Sequence, residues 1–450
     1  MTGSGNKARI GIVVLGCDKN TADAEHFAGR LEERLSKRVT VLAAGTPDDS
    51  PPDLDAVIIF TCAFIHDAKT ESVEMILAWT TFRTEWGVPG RVYVAGCLSE
   101  RYRKELEAEI PEVDAFVGIH ELDALLARIG GMVSEEAVAC DEFTPRKRLT
   151  DMPYGFLKIA DGCDRKCTFC VIPDIKGPFA SLPKETLLAD AAALVASGVR
   201  EINLVAQDTT AYGKDLYAHY GLAELLGDLC ALPGDFWIRC LYCYPNGITD
   251  ALIAQMVAQS KIAPYLDIPL QHVSPPVLKA MGRPEKARDV AALLGRLRRE
   301  IPGMVLRTTM LVGFPGETEE DHQAMLKFIE EQHFEWLGAF TYSAEEGSPA
   351  ARMKGHVPGP VARRRREAVM ALQAEITEAF NQRREGHEDR VLIEEFDREM
   401  GLWKGRSRAE APEVDGAVYV EADPSLASGI FVRVRMTRAD GYDIHARVTP

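Results

Sequence analysis

The sequence predicts a multidomain α/β chain: an N-terminal open parallel α/β sheet, a central partial (β/α)6 barrel and a small antiparallel β-barrel at the C-terminus. Three observations carry this reading. At 450 residues the chain suits about three domains, taking roughly 150 residues for each. Twice along it, short β-branched runs alternate with helix-period patterns, as parallel strands joined by helical crossovers do. Beyond residue 385 the pattern changes to short strand-like runs separated by turn residues.

The first segment runs from Lys7 to Phe143, with strands expected at Arg9–Leu15, Val39–Ala43, Ala56–Phe60, Val92–Ala95 and Ala115–Val117. Helices are expected at Thr21–Lys37, Asp67–Trp86, Ser99–Glu109 and His120–Ile129. A basic, proline-bounded stretch within residues 144–153 reads as a solvated linker. From Tyr154, six strand–helix units follow, with strands at Phe156–Ala160, Glu201–Ala206, Trp237–Tyr244, Tyr265–Leu270, Leu306–Val312 and Leu337–Tyr342. Helices such as Pro183–Ser197, Thr249–Ser260 and Thr318–Gln332 fit between them, the last with Thr318 as N-cap and acids in its first turn. Right-handed βα units in series build a barrel whose site lies at the strands' C-terminal ends. A helix over Val361–Arg384 closes this segment. Val369, Leu372, Ile376 and Phe380 form its buried stripe, and the run Arg363–Arg366 is either solvated or clamped to a neighbouring domain. The last segment, 385–450, offers strands at Arg390–Glu394, Ala417–Val420 and Ile430–Met436.

Composition narrows the function. Lys plus Arg is 52 and Asp plus Glu 68, a net charge of −16, which argues against a general nucleic-acid coat. The last segment alone carries nine basic and fourteen acidic residues, so it suits a basic partner. No apolar run approaches the roughly 18 residues of a membrane span, and no secretory signal opens the chain. The expected location is cytoplasmic, where thiols stay reduced, so ten cysteines need another purpose.

Cys163, Cys167 and Cys170 form C-x3-C-x2-C directly after a strand. A structural zinc site wants four protein ligands, so a distant His would have to complete it. Three thiolates on one short loop suit a [4Fe-4S] cubane with one iron left open. Cys17, Cys62 and Cys97 lie 45 and 35 residues apart, yet each follows a predicted parallel strand. Strand C-terminal ends share one edge of a sheet, so these three can converge on a second [4Fe-4S] cluster; inert burial is the competing reading. Cys240 and Cys243 fall in a strand pattern at an offset of three, on opposite faces, which argues against joint chelation. Cys140 and Cys230 have no evident partners. Gly313-Phe-Pro-Gly-Glu-Thr318 is a strand-to-helix turn in which the following acids disfavour a phosphate. Gln207, Asp208, Gln271 and His272 stand at strand C-terminal ends and are expected to line the barrel mouth.

Through Cys163, Cys167 and Cys170, with the aromatic Phe169 before the last of them, the sequence resembles the radical S-adenosylmethionine (SAM) superfamily. Three N-terminal cysteines, a radical SAM barrel and a C-terminal TRAM barrel together resemble the methylthiotransferases over nearly the whole chain. Several stretches are similar to the branch that modifies an aspartate of small-subunit ribosomal protein S-twelve: Leu15-Gly-Cys-Asp-Lys-Asn20, Tyr154-Gly-Phe-Leu-Lys158, Gln207-Asp-Thr-Thr-Ala-Tyr-Gly213, Tyr265-Leu-Asp-Ile-Pro-Leu-Gln-His272 and Ala409-Glu-Ala-Pro-Glu-Val-Asp-Gly416. The MiaB-like branch, which modifies a tRNA adenosine, usually has Asn where this chain has Asp208. Thr61-Cys-Ala-Phe-Ile65 departs from the family, which commonly has Asn before and Gly after the cysteine. The resemblance implies two [4Fe-4S] clusters and SAM as cofactors, an electron donor and a sulfur source of unknown identity, a basic ribosomal protein as substrate and no tRNA. It implies a radical that removes hydrogen from Cβ of the aspartate, sulfur from the second cluster and a methyl group from a second SAM. Phe169, Gln207, Asp208, Gln271 and His272 become candidates for binding SAM or substrate, and no side chain beyond the cluster ligands is given a catalytic role. A non-catalytic iron–sulfur RNA-binding module is the rival of another class, and the acidic last segment argues against it.

Overall fold

The computed structural model describes residues 7–35, 38–51, 53–133, 146–219, 221–283 and 287–449. Cys140 and the start of the expected linker lie outside them. The chain divides into two compact units: residues 1–151 with 171–178, and residues 152–170 with 179–450.

The first unit holds five strands: β1 (Ala8–Val14), β2 (Val39–Ala44), β3 (Ala56–Thr61), β4 (Arg91–Gly96) and β5 (Ala115–Val117). All pair parallel, in the order β2-β1-β3-β4-β5. β3 is buried along its whole length, as its unbroken apolar run requires between two helical layers. In this order the connections change direction between β1 and β3, which opens a crevice at their C-terminal ends. The basic stretch after residue 145 is not a solvated linker. Arg146 and Arg148 both pair with Glu25, at 3.3 and 3.0 Å, and the Glu25 and Arg146 side chains are each 2% exposed. Glu25 sits on helix Asp18–Arg34, and a carboxylate buried there is costly unless paired, as these two cations pair it.

The second unit begins with six strands: β6 (Tyr154–Lys158), β7 (Glu201–Val205), β8 (Trp237–Cys240), β9 (Ile262–Asp267), β10 (Val305–Val312) and β11 (Trp336–Thr341). They pair parallel in strict sequence order and do not close, giving the partial barrel expected. β8 is shorter than its pattern suggests because Tyr242 adopts a left-handed φ of 58° and ends the strand. The opposite-face argument for Cys240 and Cys243 therefore does not apply; both are 1% exposed and pack in the barrel's apolar core. Thr318 caps helix Glu319–Gln332 in a full capping box with Asp321.

Five strands close the C-terminal barrel: β12 (Glu388–Asp397), β13 (Leu402–Arg406), β14 (Val418–Glu421), β15 (Phe431–Asp440) and β16 (Asp443–Val448). β13 and β16 escape the sequence pattern because Trp403-Lys-Gly-Arg406 and Asp443-Ile-His-Ala446 mix charge into strands only partly buried. Four ladders are antiparallel, and β14 with β16 is parallel.

The small barrel meets the large one at the N-terminal ends of the latter's strands. A chain of buried charges runs across the junction. Arg239 Nε donates to Glu201 at 2.7 Å, Arg406 Nη1 reaches the other Glu201 oxygen at 2.7 Å, and Arg406 Nη2 reaches Glu394 at 2.6 Å. Burial works against ionisation of Glu201, but the two guanidiniums outweigh it and hold its carboxyl below the usual range. The motif Ala409–Gly416 locks the same end. Asp415 accepts from Tyr265 at 2.6 Å, Glu413 accepts from Tyr154 at 3.0 Å, and Trp336 donates to the Ala409 carbonyl at 2.6 Å. No helix among the described residues is long and apolar enough to cross a membrane.

Glu201→Gln leaves two buried guanidiniums short of a counter-charge. The variant should lose about 3–5 kcal/mol in urea unfolding, the usual cost of breaking a buried ion pair from one side; a loss under about 1 kcal/mol would show that the four charges are not coupled.

Candidate functional site

In the first unit, Cys62 and Cys97 directly follow β3 and β4, and Cys17 lies three residues past the end of β1. They occupy three adjacent strand ends, with Cys17 and Cys62 on either side of the crevice. Two glycines make this approach possible. Gly16 has φ +88°, and a Cβ there would lie 2.5 Å from Cys62 Cβ. Gly96 has φ +104°, and a Cβ would meet the Thr61 carbonyl at 2.7 Å. Thr61, the unusual residue before Cys62, is fully buried and donates through Oγ1 to the Ala95 carbonyl at 2.7 Å. It therefore ties β3 to β4 at the level of the cysteines. Burial raises the Cys62 thiol, with the Cys17 charge adding to it. Burial pushes Cys97 up to about 12, against the pull of Lys176, and Cys62 and Cys17 both oppose its ionisation. The three thiols thus act on one another in a soft, partly desolvated set, with Lys176 the cation beside them.

In the second unit, Cys163, Cys167 and Cys170 lie on one loop at the mouth of the barrel. Thr168, between the last two, is held on three sides. Its amide donates to the Met281 carbonyl at 3.0 Å, its Oγ1 to the Ala280 carbonyl at 2.8 Å, and its carbonyl accepts the Ala350 amide at 2.8 Å. Gly282 has φ +71°, and a Cβ there would sit 2.5 Å from the Lys166 carbonyl, so the loop crosses over a residue that must be glycine. Cys163 is 8% exposed and accepts the Arg165 amide at 3.4 Å; burial raises its thiol.

Arg165 is a residue that sequence reasoning passed over, though a lone arginine between two ligand-spaced cysteines was a visible signal. Its Nε and Nη2 donate to Asp208 at 2.9 and 2.7 Å, and its guanidinium lies 3.6 Å from the Tyr244 ring centre. Arg283 stacks on the same ring at 4.7 Å. Asp208 also accepts from Thr210 Oγ1 at 2.7 Å and from the Ala211 amide at 3.2 Å. It is 3% exposed and acts as a holder for Arg165 rather than as a free carboxylate in the mouth.

The other candidates separate. Gln207 is half-buried with Oε1 unpartnered, which leaves it a hydrogen-bond acceptor to offer. Gln271 takes φ +70° and bridges to β10 through its backbone. Phe169 packs edge-on against Phe314 at 6.5 Å, within an apolar cluster that includes Met281 and Ala350. His272 is 2% exposed; its Nδ1 accepts the Val273 and Ser274 amides at 2.9 and 3.0 Å, which leaves the hydrogen on Nε2, 3.9 Å from Glu317. It borders a narrow cleft with Leu270, Leu278 and Phe328 that has room for little more than a water molecule. In the Gly313–Thr318 turn, Glu317 accepts the Gly313 and Phe314 amides itself, so the donors that could have cradled a phosphate are taken.

Among the described residues no three His, Cys, Asp or Glu side chains converge on one point as a single-ion site requires. A cubane asks for a different arrangement, with thiolates spread over several irons. Two trios of soft thiols, one on three adjacent loops and one on a single loop, each at a strand edge, fit that donor set. Because the thiolate is the ligand, the protons must leave as metal binds.

Three family profiles match the chain: Uncharacterized protein family UPF0004 over residues 9–118, Radical SAM superfamily over 157–329 and TRAM domain over 386–449. The solved radical S-adenosylmethionine methyltransferase TsrM from Kitasatospora setae shares the fold, with a TM-score of 0.51 at 15% identity over 74% of this chain and 73% of its own. Together with the six cysteines at the strand ends, these place the chain in the radical SAM class with a TRAM barrel appended. Whole-chain relatives narrow the class. "Ribosomal protein uS12 methylthiotransferase RimO" of Desulfitobacterium hafniense (strain Y51) is 42% identical over 98% of each chain, and the protein of the same name from Desulforudis audaxviator (strain MP104C) is 44% identical over 98% of this chain and 97% of its own. The chain belongs to the ribosomal protein uS12 methylthiotransferase RimO family.

Gly16→Ala forces a side chain into a left-handed backbone against Cys62. It should cost the first unit about 1–3 kcal/mol and change the alkylation rate of Cys62 severalfold, while Cys230 in the other unit reacts as before. An unchanged Cys62 rate would mean that the close approach of the two loops is not real.

Proposed function

We infer that this chain is a radical SAM methylthiotransferase, a transferase that adds a methylthio group to Cβ of an aspartate of small-subunit ribosomal protein uS12. The observation that carries the reading is whole-chain kinship: proteins of that name match it at 42–44% identity across all three segments. That name favours the ribosomal protein over the tRNA adenosine of the MiaB-like branch. A ribosomal substrate places the reaction in the cytoplasm.

Cys163, Cys167 and Cys170 would hold the [4Fe-4S] cluster that receives SAM, and Cys17, Cys62 and Cys97 would hold a second. When bound, these groups supply what acid–base side chains cannot: a carbon radical able to take hydrogen from an unactivated C–H, a sulfur atom and, from a second SAM, a methyl group. The chain's own residues bind and orient. The hydrogen bonds of Thr168 and the bare backbone of Gly282 fix the cysteine loop over the barrel mouth. Asp208 and the Tyr244 ring hold the Arg165 guanidinium beside Cys163, where a planar cation suits a carboxylate of SAM or of the substrate. Phe169, Phe314 and Tyr342 form an apolar bed near the loop that helps keep water from a reactive centre. Gln207 offers its unpartnered oxygen nearby. The acidic C-terminal barrel packs against the opposite ends of the strands, so its charge steers a basic partner from a distance. An electron donor and a sulfur source are required from outside the chain.

The test is anaerobic. Reconstituted protein should carry about eight irons if both clusters are cubanes. With SAM, dithionite and a peptide containing the target aspartate, it should add one methylthio group, read by mass. Cys167→Ala should abolish SAM cleavage, whereas Cys62→Ala should cleave SAM and add no methylthio group. Full methylthiolation by Cys62→Ala would remove the second cluster from the account, and a wild-type protein inert on the peptide but active on tRNA would overturn the substrate.

A further inference from the structure

The barrel mouth carries a basic stripe in an acidic protein. Residues 347–366 contain six Arg or Lys and no Asp or Glu, in a chain of net charge −16. The stretch runs from the short turn Pro349–Arg352 into helix Gly359–Arg384. Arg365 is spent internally: it is buried and donates to the Glu317 carbonyl at 3.2 Å, with Glu319 3.4 Å from its other arm. Arg366 donates to the Ala339 carbonyl. Arg352, Lys354, Arg363 and Arg364 are exposed, and no carboxylate among the described residues pairs with them.

The stripe is built into the mouth. The Ala350 amide holds the Thr168 carbonyl, between Cys167 and Cys170, and the Gly355 carbonyl accepts the Gly316 amide at 2.9 Å. A Cβ on Gly313 would lie 2.5 Å from that of Ala362, so the first turn of the helix is pressed onto the turn after β10. Lys166 and Lys279, also exposed, sit on the two segments that Thr168 and Gly282 join. The stretch is flanked by Glu345, buried and accepting from Ser343 Oγ, and by the exposed Glu346 and Glu367; of the other acids on neighbouring segments, Asp164 accepts the Phe179 amide, Glu317 is buried on its own turn, Glu319 pairs with Arg365, and Asp321 caps its helix.

Resting on the functional reading above, we propose that Arg352, Lys354, Arg363 and Arg364 dock the enzyme on RNA phosphates of an assembled small ribosomal subunit that carries the protein substrate. A basic substrate protein is repelled by these four cations, so they serve something acidic beside it. Arginine forks match phosphate oxygens two at a time, and a row of exposed cations on a rigid helix and its lead-in turn is how a protein grips phosphates without reading sequence. The preferred substrate is then the assembled particle rather than the free protein.

The test compares two substrates with dithionite as reductant, so that no protein donor takes part: a peptide carrying the aspartate, and small subunits isolated from cells lacking this enzyme. Four phosphate contacts predict that the apparent affinity for subunits falls about 50- to 150-fold between 50 and 200 mM salt, with little change for the peptide. Charge reversal at all four positions (Arg352→Glu, Lys354→Glu, Arg363→Glu and Arg364→Glu) should raise KM for subunits at least tenfold, flatten the salt dependence and leave peptide turnover unchanged. Arg363→Lys with Arg364→Lys should keep most of the subunit activity. Equal loss on both substrates, or no loss on subunits, overturns the proposal. If a repeat with a protein reductant in place of dithionite shows the loss and the dithionite assay does not, the proposal is also overturned, because the stripe then serves an acidic electron donor. Failure of the unaltered enzyme on both substrates would instead strike the functional reading itself.

Discussion

The structure depends on strand direction. A parallel sheet sends every strand's C-terminal end to the same edge, so loops far apart in sequence meet there without any local motif to bring them together. In the first unit this turns three cysteines separated by 45 and 35 residues into neighbours after β1, β3 and β4. In the second it gathers the cysteine loop, Asp208, Tyr244 and Gln271 at one mouth. Glycine then sets how closely the loops approach. Gly16, Gly96 and Gly282 each stand where a methyl group would collide with the neighbouring loop. Chemistry at this edge is bought with backbone positions that no other residue occupies comfortably.

The opposite edge is organised by charge. Arg239, Glu201, Arg406 and Glu394 alternate in sign along a buried path, and Asp415 sits between Tyr265 and Arg307. Such groups stabilise only as a complete set, because each is costly when left alone. The alternation therefore specifies how the small barrel seats on the large one. It also explains why Ala409–Gly416 looked like a family signature: its glutamates, its aspartate and the bare Gly416, where a Cβ would clash with the Tyr442 carbonyl, are the fittings of that joint. Division of labour follows in the second unit, with the cysteine loop at one end of the strands and structural charges at the other.

Much of this was legible in the sequence, and the reasons are physical. β-branched runs between helix-period stretches gave ten of the strands within a few residues, because strands covered on both faces must be continuously apolar, as β3 is. The placement of the six cysteines was legible because each follows a strand pattern, and the ends of parallel strands share one edge. Errors fell where tertiary context decides. The truncation of β8 depends on a left-handed Tyr242 that no local pattern announces. Arg146 and Arg148 looked solvated because their partner, Glu25, lies more than 120 residues away. β13 and β16 carry charge on faces that a small barrel leaves wet. His272 and Asp208 were placed at strand ends correctly, but only the fold shows that one is buried in its own turn and the other is occupied by Arg165.

The central claim is that this chain modifies a ribosomal aspartate rather than a tRNA base. Mass spectrometry of ribosomal protein uS12 and of tRNA nucleosides, from cells with and without the chain, tests it most directly. The account predicts that the uS12 aspartate loses its methylthio group while methylthiolated adenosine is unchanged. Loss of the methylthio group from tRNA adenosine, with the aspartate still modified, would contradict it.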